Sequence, residues 1–132
     1  MQYPTSTYEF YTEIRRLFPP ISQKADRLFT EDWGEFDPPS SYVWFEKLAY
    51  ALNGEMRRLV AVGEYDELFN YVDKVLESGN EALFRCIDVA FTENLFWQVP
   101  EQAALPYWQR LPSSLKRLYL GFHNKPPATF GL

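Results

Sequence analysis

The side chains that most often perform catalysis are scarce in this chain. It contains one histidine, His123, and one cysteine, Cys86. A hydrolytic triad or a metal site built from histidines would need partners for His123 that the chain lacks, so we predict a structural or surface histidine. Cys86 lies close to Phe84, Ile87 and Val89. This apolar setting predicts a buried, inert thiol with a raised pKa.

Carboxylates, by contrast, are abundant, and a pair of them could act as acid and base. Those that stand close in sequence have the spacing of water-facing helix positions: Glu9 and Glu13, Asp66 and Glu67, Asp73 and Glu77. The glycines are scattered between predicted helices and form no phosphate-binding loop. We therefore predict no cofactor, no metal and no enzymatic activity. An enzyme would need a concave pocket that holds two acids of raised pKa.

The stretch "FTEDWGEFDPPSSYVW" (29–44) places large aromatic residues inside an acidic segment. Trp33 and Phe36 either cover the core beneath the segment or form a patch that inserts into a partner, with the carboxylates pairing with basic groups. Both can hold, with Phe36 inside and Trp33 outside. The candidate partner-binding residues here are Glu31, Asp32, Trp33, Glu35, Phe36 and Asp37.

A second acidic and aromatic segment is "GEYDELFNY" (63–71). Tyr65 belongs to the apolar stripe of the predicted helix, so we expect it to face the core. The candidate partner-binding residues in this segment are therefore Asp66, Glu67 and Asn70.

The charges are unevenly distributed along the chain. All 18 acidic residues lie in residues 1–101, together with nine of the 13 lysines and arginines, whereas residues 102–132 contain four basic residues and no acid. The acidic segment repels phosphate backbones, which argues against nucleic-acid binding, but it would attract a basic protein. Surface acids also simply aid solubility.

Length and composition indicate an ordinary globular domain. A chain of 132 residues can bury a core, and one cysteine excludes an internal disulfide. The segment "MQYPTSTYEF" (1–10) lacks the regions of a signal peptide, and no apolar run approaches the roughly 20 residues that span a bilayer. We predict a cytoplasmic protein that does not bind membranes.

Apolar residues recur at helical spacing along most of the chain, and no alternating strand pattern is evident. Ser6 precedes Glu9 by three residues, the spacing of a capping box, and opens a helix that Pro19 stops. A second helix is predicted over 21–29, and residues 30–41 are predicted to form an irregular loop.

Ser40 or Ser41 is expected to cap a long third helix over 42–62. Gly54 weakens this helix and permits a kink, and Gly63 provides a left-handed exit. Further helices are predicted over 64–78, 81–97, 101–110 and 113–122. Gly79 should end the helix over 64–78, Asn80 should cap the helix over 81–97, and Pro106 should break the helix over 101–110.

These elements predict a single all-α domain over residues 1–132, with residues 125–132 as an extended tail. Its five to seven helices should pack as antiparallel hairpins. The arrangement could be either a compact bundle or a short solenoid.

Residues 36–97 resemble a family of small acidic all-α bacterial proteins. The resemblance rests on a proline-led loop into a long helix, on "GEYDELFNYVDKVLESGNE" (63–81) and on an apolar helix that closes with "ENL" (93–95). Several members are encoded beside polymorphic toxins of the contact-dependent, Rhs or type VI kind as their cognate immunity proteins. The resemblance implies tight binding to a toxin, with the active site or an exosite covered, and no catalytic residues.

We therefore expect an immunity protein whose partner is a toxin with a basic surface, such as a nuclease. The alternative is a non-enzymatic helical adaptor that binds a peptide or helix, for which a peptide-width apolar groove would be the mark. The sequence leaves open whether the protein is a monomer or a homodimer, because an exposed aromatic patch could also mediate self-association.

Overall fold

The computed structural model describes residues 2–127, which form seven α-helices and no β-strand. The helices are α1 (Thr7–Leu17), α2 (Pro19–Trp33), α3 (Ser41–Arg57), α4 (Asp66–Glu77), α5 (Glu81–Arg85), α6 (Glu101–Arg110) and α7 (Ser113–His123). The predicted all-α fold class is confirmed for this part of the chain. Residues 125–127 follow α7 without helical structure, and the rest of the predicted tail, 128–132, lies outside the described residues.

Several predicted helix ends are confirmed. The Ser6 hydroxyl accepts the Glu9 N–H at 3.1 Å and caps α1. The Glu9 carboxylate turns back to the Thr5 N–H (2.8 Å), which lowers the pKa of Glu9. Gly79, with φ of 81°, ends α4, and the Asn80 side chain accepts the Leu83 N–H at 3.0 Å to cap α5.

The predicted loop over 30–41 is wrong in its first part. Helix α2 continues through residues 30–33 and ends at Gly34, whose φ of 78° favours glycine. The cap of the following segment is also different, because Asp37 accepts the Ser40 N–H and caps a 3₁₀ turn (Pro38–Ser40) that leads into α3. The Ser40 side chain makes no capping bond to α3.

The predicted third helix is too long. Helix α3 passes through Gly54 and ends at Arg57, five residues before the predicted end at 62. The chain leaves it through Leu59, whose φ is 61°, whereas Gly63 lies within a 3₁₀ turn (Val62–Tyr65) and does not have a positive φ. The chain therefore leaves α3 through a leucine in a strained conformation, and a prediction based on glycine positions does not locate this exit.

The predicted helix over 81–97 changes its winding. After α5 the chain forms a π-helical segment (Cys86–Phe91) and a 3₁₀ turn (Thr92–Asn94) before it leaves helical structure. Helix α6, in turn, is not broken by Pro106. Pro106 lies on its exposed side, where water can replace the missing hydrogen bond.

Helix α3 is the centre of the fold. It packs against α1, α2, α6 and the π-helical segment. Its large core side chains are fully buried: Trp44, Phe45, Leu48, Leu52 and Met56, and each contributes roughly 2 kcal/mol by burial. Because α3 contacts elements from both ends of the chain, the helices form a compact bundle, and not a solenoid in which pairs touch only their neighbours.

One carboxylate is buried at the edge of this core. Glu55, with 5% of its side chain exposed, accepts hydrogen bonds from Lys24 (2.5 Å), Arg58 (2.8 Å) and the Tyr65 hydroxyl (2.7 Å). Burial by itself would raise the pKa of Glu55, but the hydrogen bonds from Lys24 and Tyr65 outweigh it, and the pKa is lowered. The carboxylate thus ties α2, α3 and the turn before α4 together.

No helix among residues 2–127 has both the length and the apolar character needed to cross a membrane.

Replacing Glu55 by glutamine should lower the free energy of unfolding by about 2–3 kcal/mol at neutral pH, because the nearby cations lose their counter-charge. The stability that wild-type Glu55 contributes is complete above its unfolded pKa of about 4.3 and is lost as the pH falls through its lower folded pKa. The difference between the two proteins should therefore shrink in acid. Urea unfolding from pH 7 to pH 3 measures this difference.

Glu77→Gln is the matched control, since Glu77 is exposed and has no ion pair within the described residues. It should change the free energy of unfolding by less than about 0.5 kcal/mol. An equal effect of the two substitutions would contradict the role given to Glu55.

Candidate functional site

The last turn of α2 carries a tryptophan that the fold does not cover. The Trp33 side chain is 61% exposed. Glu31 and Glu35 on either side of it are exposed, and neither forms a salt bridge or hydrogen bond with another side chain within residues 2–127. We call these three residues the acidic edge. It combines a free indole with free negative charge, which is what a protein partner with a basic rim would bind.

Asp32, the fourth candidate in this stretch, is used by the fold. Its carboxylate pairs with Lys47 of α3, whose side chain is only 7% exposed. The Lys47 ammonium also lies 5.4 Å from the centre of the Tyr50 ring. A buried ammonium needs a counter-charge, so Asp32 is primarily the partner of Lys47.

Phe36 and Asp37 are also structural. The Phe36 ring stacks on Tyr11 at 4.3 Å and contacts Phe29 edge-on at 5.6 Å, so it covers the core. Asp37 caps the turn before α3. The structure therefore separates the aromatic pair as the sequence allowed, with Phe36 inside and Trp33 outside.

The second candidate segment lies elsewhere. Asp66 pairs with Arg110 of α6, so one of the four C-terminal basic residues neutralises one of the acids. Glu67 and Asn70 are exposed on α4. Tyr65, directly before Asp66, is joined through Glu55 to Lys24, and Lys24 and Trp33 are about 14 Å apart along α2 at 1.5 Å per residue. The two predicted segments thus lie near opposite ends of α2.

A second exposed tryptophan, Trp97, lies at the end of the predicted helix over 81–97 and is not among the predicted partner-binding residues. Its side chain is 56% exposed. It sits in a short irregular segment in which the flanking residues, Phe96 and Gln98, have φ of 70° and 56°. A non-glycine residue with a positive φ costs on the order of 1–2 kcal/mol. The fold must therefore hold this segment by other bonds.

Asn53, in the second half of α3, supplies these bonds. It is buried, and its amide donates to the Asn94 carbonyl (2.9 Å) and accepts the Phe96 N–H (2.7 Å). Arg57, one turn further on, donates to the Trp97 carbonyl at 3.4 Å. The turn is thus fixed on both sides, and the Trp97 side chain is held outward.

Tyr50 links the two exposed tryptophans. Its ring lies 5.8 Å from that of Trp97 and beside the Lys47 ammonium, which pairs with Asp32, the residue before Trp33. We call Trp33, Tyr50 and Trp97 the aromatic face. The signal that could have revealed it is Asn53, a polar residue next to the apolar stripe of α3, which needed a long-range partner.

A groove of about 470 Å³ opens between the π-helical segment and α7. Its lining includes three apolar and three charged residues: Val89, Leu118, Phe122, Asp88, Glu93 and Arg117. Burial raises the pKa of Asp88, and burial together with the charge of Asp88 raises the pKa of Glu93. The groove therefore has an apolar lining, which is expected of an adaptor, and two acids of raised pKa, which are expected of an enzyme.

Cys86 and His123, the chain's single cysteine and single histidine, serve the fold. Cys86 is fully buried, as predicted, and burial raises the pKa of its thiol. His123 stacks on Tyr119 at 4.1 Å, and its Nε2 lies 2.9 Å from the Glu93 carbonyl oxygen. Within residues 2–127, no group of three histidine, cysteine, aspartate or glutamate side chains is arranged to hold a metal ion.

The fold and these surfaces define an all-α domain with an exposed aromatic face. The model of a family described as "Domain of unknown function (DUF7674)" matches residues 11–125, and the chain belongs to this family. The matched region contains the whole aromatic face. No curated protein and no solved structure matches the chain.

Replacing Asn53 by alanine should lower the free energy of unfolding by about 2–3 kcal/mol, because the Phe96 N–H and the Asn94 carbonyl lose their partner away from water. The Phe96 amide should also exchange its hydrogen faster than in the wild type. Hydrogen exchange followed by NMR measures both effects.

Asn70→Ala, the same substitution at an exposed position of α4, should leave the Phe96 exchange rate unchanged. If the Phe96 amide exchanges as slowly in Asn53→Ala as in the wild type, Asn53 does not hold the turn.

Proposed function

We propose that this protein is an immunity protein, which binds a cognate bacterial toxin and neutralises it in the cytoplasm of the cell that makes the toxin. The observation that carries the proposal is the acidic edge, where Trp33 is held out in solvent between Glu31 and Glu35, two exposed carboxylates that form no ion pair with any residue from 2 to 127. The resemblance of residues 36–97 to immunity proteins supports the same function.

The chemistry of the acidic edge suits a toxin with a basic cleft. Toxins that act on nucleic acids need positive charge to bind their substrate. Glu31 and Glu35 would imitate that substrate charge and raise the association rate, and Trp33 would fill a pocket as the buried anchor. A standard interface of roughly 1,600 Å² built around such an anchor reaches high affinity.

The surroundings of the acidic edge favour tight binding because they leave it little freedom. Asp32 is bonded to Lys47, and Phe36 is packed on Tyr11, so the chain is fixed directly beside Trp33. An edge that is already ordered loses less conformational entropy when it binds.

A helical adaptor is the second candidate, and the groove beside α7 favours it. The apolar lining of Val89, Leu118 and Phe122 would receive a peptide, and Asp88 and Glu93 would pair with its basic residues. The double substitution Asp88→Asn with Glu93→Gln separates the two candidate functions. It should weaken peptide binding by an adaptor, and it should leave toxin neutralisation by an immunity protein unchanged.

Growth rescue tests the proposed function directly. The C-terminal domain of the protein encoded immediately upstream would be induced in a host with and without this protein. We expect growth to collapse without it and to recover with it. A toxin that kills equally in both hosts, or an upstream domain that is harmless, would count against the immunity function.

Replacing Glu31 and Glu35 together by glutamine should lower the association rate for the toxin domain about tenfold at low salt and flatten its salt dependence. Asp32 and Asp37 are left unchanged because they stabilise the fold. Stopped-flow association from about 20 to 500 mM NaCl measures both effects.

Glu64→Gln with Glu77→Gln is the matched control, because it removes the same charge at exposed positions outside the acidic edge. It should retain most of the wild-type salt dependence. An identical salt dependence in all three proteins would overturn electrostatic steering by the acidic edge.

A further inference from the structure

We infer that Trp97 is a second anchor of the toxin interface, so that the partner covers the whole aromatic face from Trp33 across Tyr50 to Trp97. This inference rests on the proposed function. It adds a second contact region, contributed by the turn after the π-helical segment and fixed by different bonds.

A short path of side-chain contacts leads from the residue before Trp33 to Trp97. Asp32, next to Trp33, pairs with Lys47, the Lys47 ammonium lies 5.4 Å from the Tyr50 ring centre, and the Tyr50 ring lies 5.8 Å from Trp97. These three steps are direct contacts between side chains, and Trp33 follows Asp32 in the chain. An interface of ordinary size is large enough to span a path of this length.

The turn that carries Trp97 is built to hold it outward. Phe96 and Gln98 keep positive φ angles, and Asn53 uses both ends of its buried amide on the backbone of this turn. Such strain persists only where surrounding bonds over-determine it, and it is concentrated at binding and catalytic sites. An indole that is exposed and already fixed loses little entropy when a partner buries it.

The charges around the face specify the partner. At the Trp33 end, the exposed carboxylates of Glu31 and Glu35 favour a partner with a basic rim. At the Trp97 end, charges of both signs lie close by: the Arg57 guanidinium donates to the Trp97 carbonyl, and burial together with the neighbouring Glu46 carboxylate raises the pKa of Tyr50. The partner is therefore a protein surface with an apolar pocket in a basic rim for Trp33 and a second apolar pocket for Trp97.

The test measures binding of the purified upstream toxin domain to Trp33→Ala, Trp97→Ala and the double variant. Each single variant should weaken binding about 30-fold or more. Trp97→Ala should do so through faster dissociation, with the association rate and its salt dependence as in the wild type. Phe84→Ala is the matched control, since Phe84 is an exposed aromatic on α5 outside the aromatic face, and its affinity should equal that of the wild type.

The outcomes distinguish the inference from the function on which it rests. If Trp33→Ala weakens binding but Trp97→Ala does not, and a thermal transition shows that Trp97→Ala is folded, then Trp97 is not an anchor. The immunity function stands in that case. If wild-type protein neither binds nor neutralises the toxin domain, both fail. If sedimentation shows a dimer that Trp97→Ala dissociates, the face is occupied by a second copy of this chain, which overturns the inference.

Discussion

The buried carboxylate of Glu55 is the interaction on which the arrangement of the helices depends. A charge out of contact with water is stable only when donors surround it, and Lys24, Arg58 and Tyr65 fill that requirement from α2, from the end of α3 and from the turn before α4. The first half of α2 is thereby fixed against the end of α3. The position of its other end, where Trp33 stands, follows from this attachment.

A second ion pair completes the alignment of α2 with α3. Near the end of α2, Asp32 neutralises the nearly buried ammonium of Lys47, so the two helices are joined by charge at both ends of their contact. Between these pairs, Asn53 projects from α3 to the turn that carries Trp97. The polar groups of one helix thus determine where both exposed tryptophans lie, which links the packing of the core to the geometry of the proposed interface.

The acidic composition of the chain does not translate directly into a binding surface. Asp26, Asp32, Glu55 and Asp66 each pair with a basic residue of the same chain, and Asp37 serves as a helix cap. Of the four carboxylates in the segment around Trp33, only Glu31 and Glu35 remain for a partner. The family match over 11–125 includes every element that positions them, so the proposed interface belongs to the shared domain.

The sequence by itself determined the all-α class, the caps at Ser6 and Asn80, the stop at Gly79 and the burial of Cys86. These features depend on neighbours within four residues or on apolar spacing, which a sequence displays directly. Only the tertiary structure decided that Asp32 belongs to Lys47, that Phe36 is covered while Trp33 is not, and that Trp97 is exposed. Those outcomes depend on partners elsewhere in the fold, such as Lys47, 15 residues from Asp32, and Asn53, 43 residues from Phe96, and no local pattern specifies which distant group will satisfy a buried charge or amide.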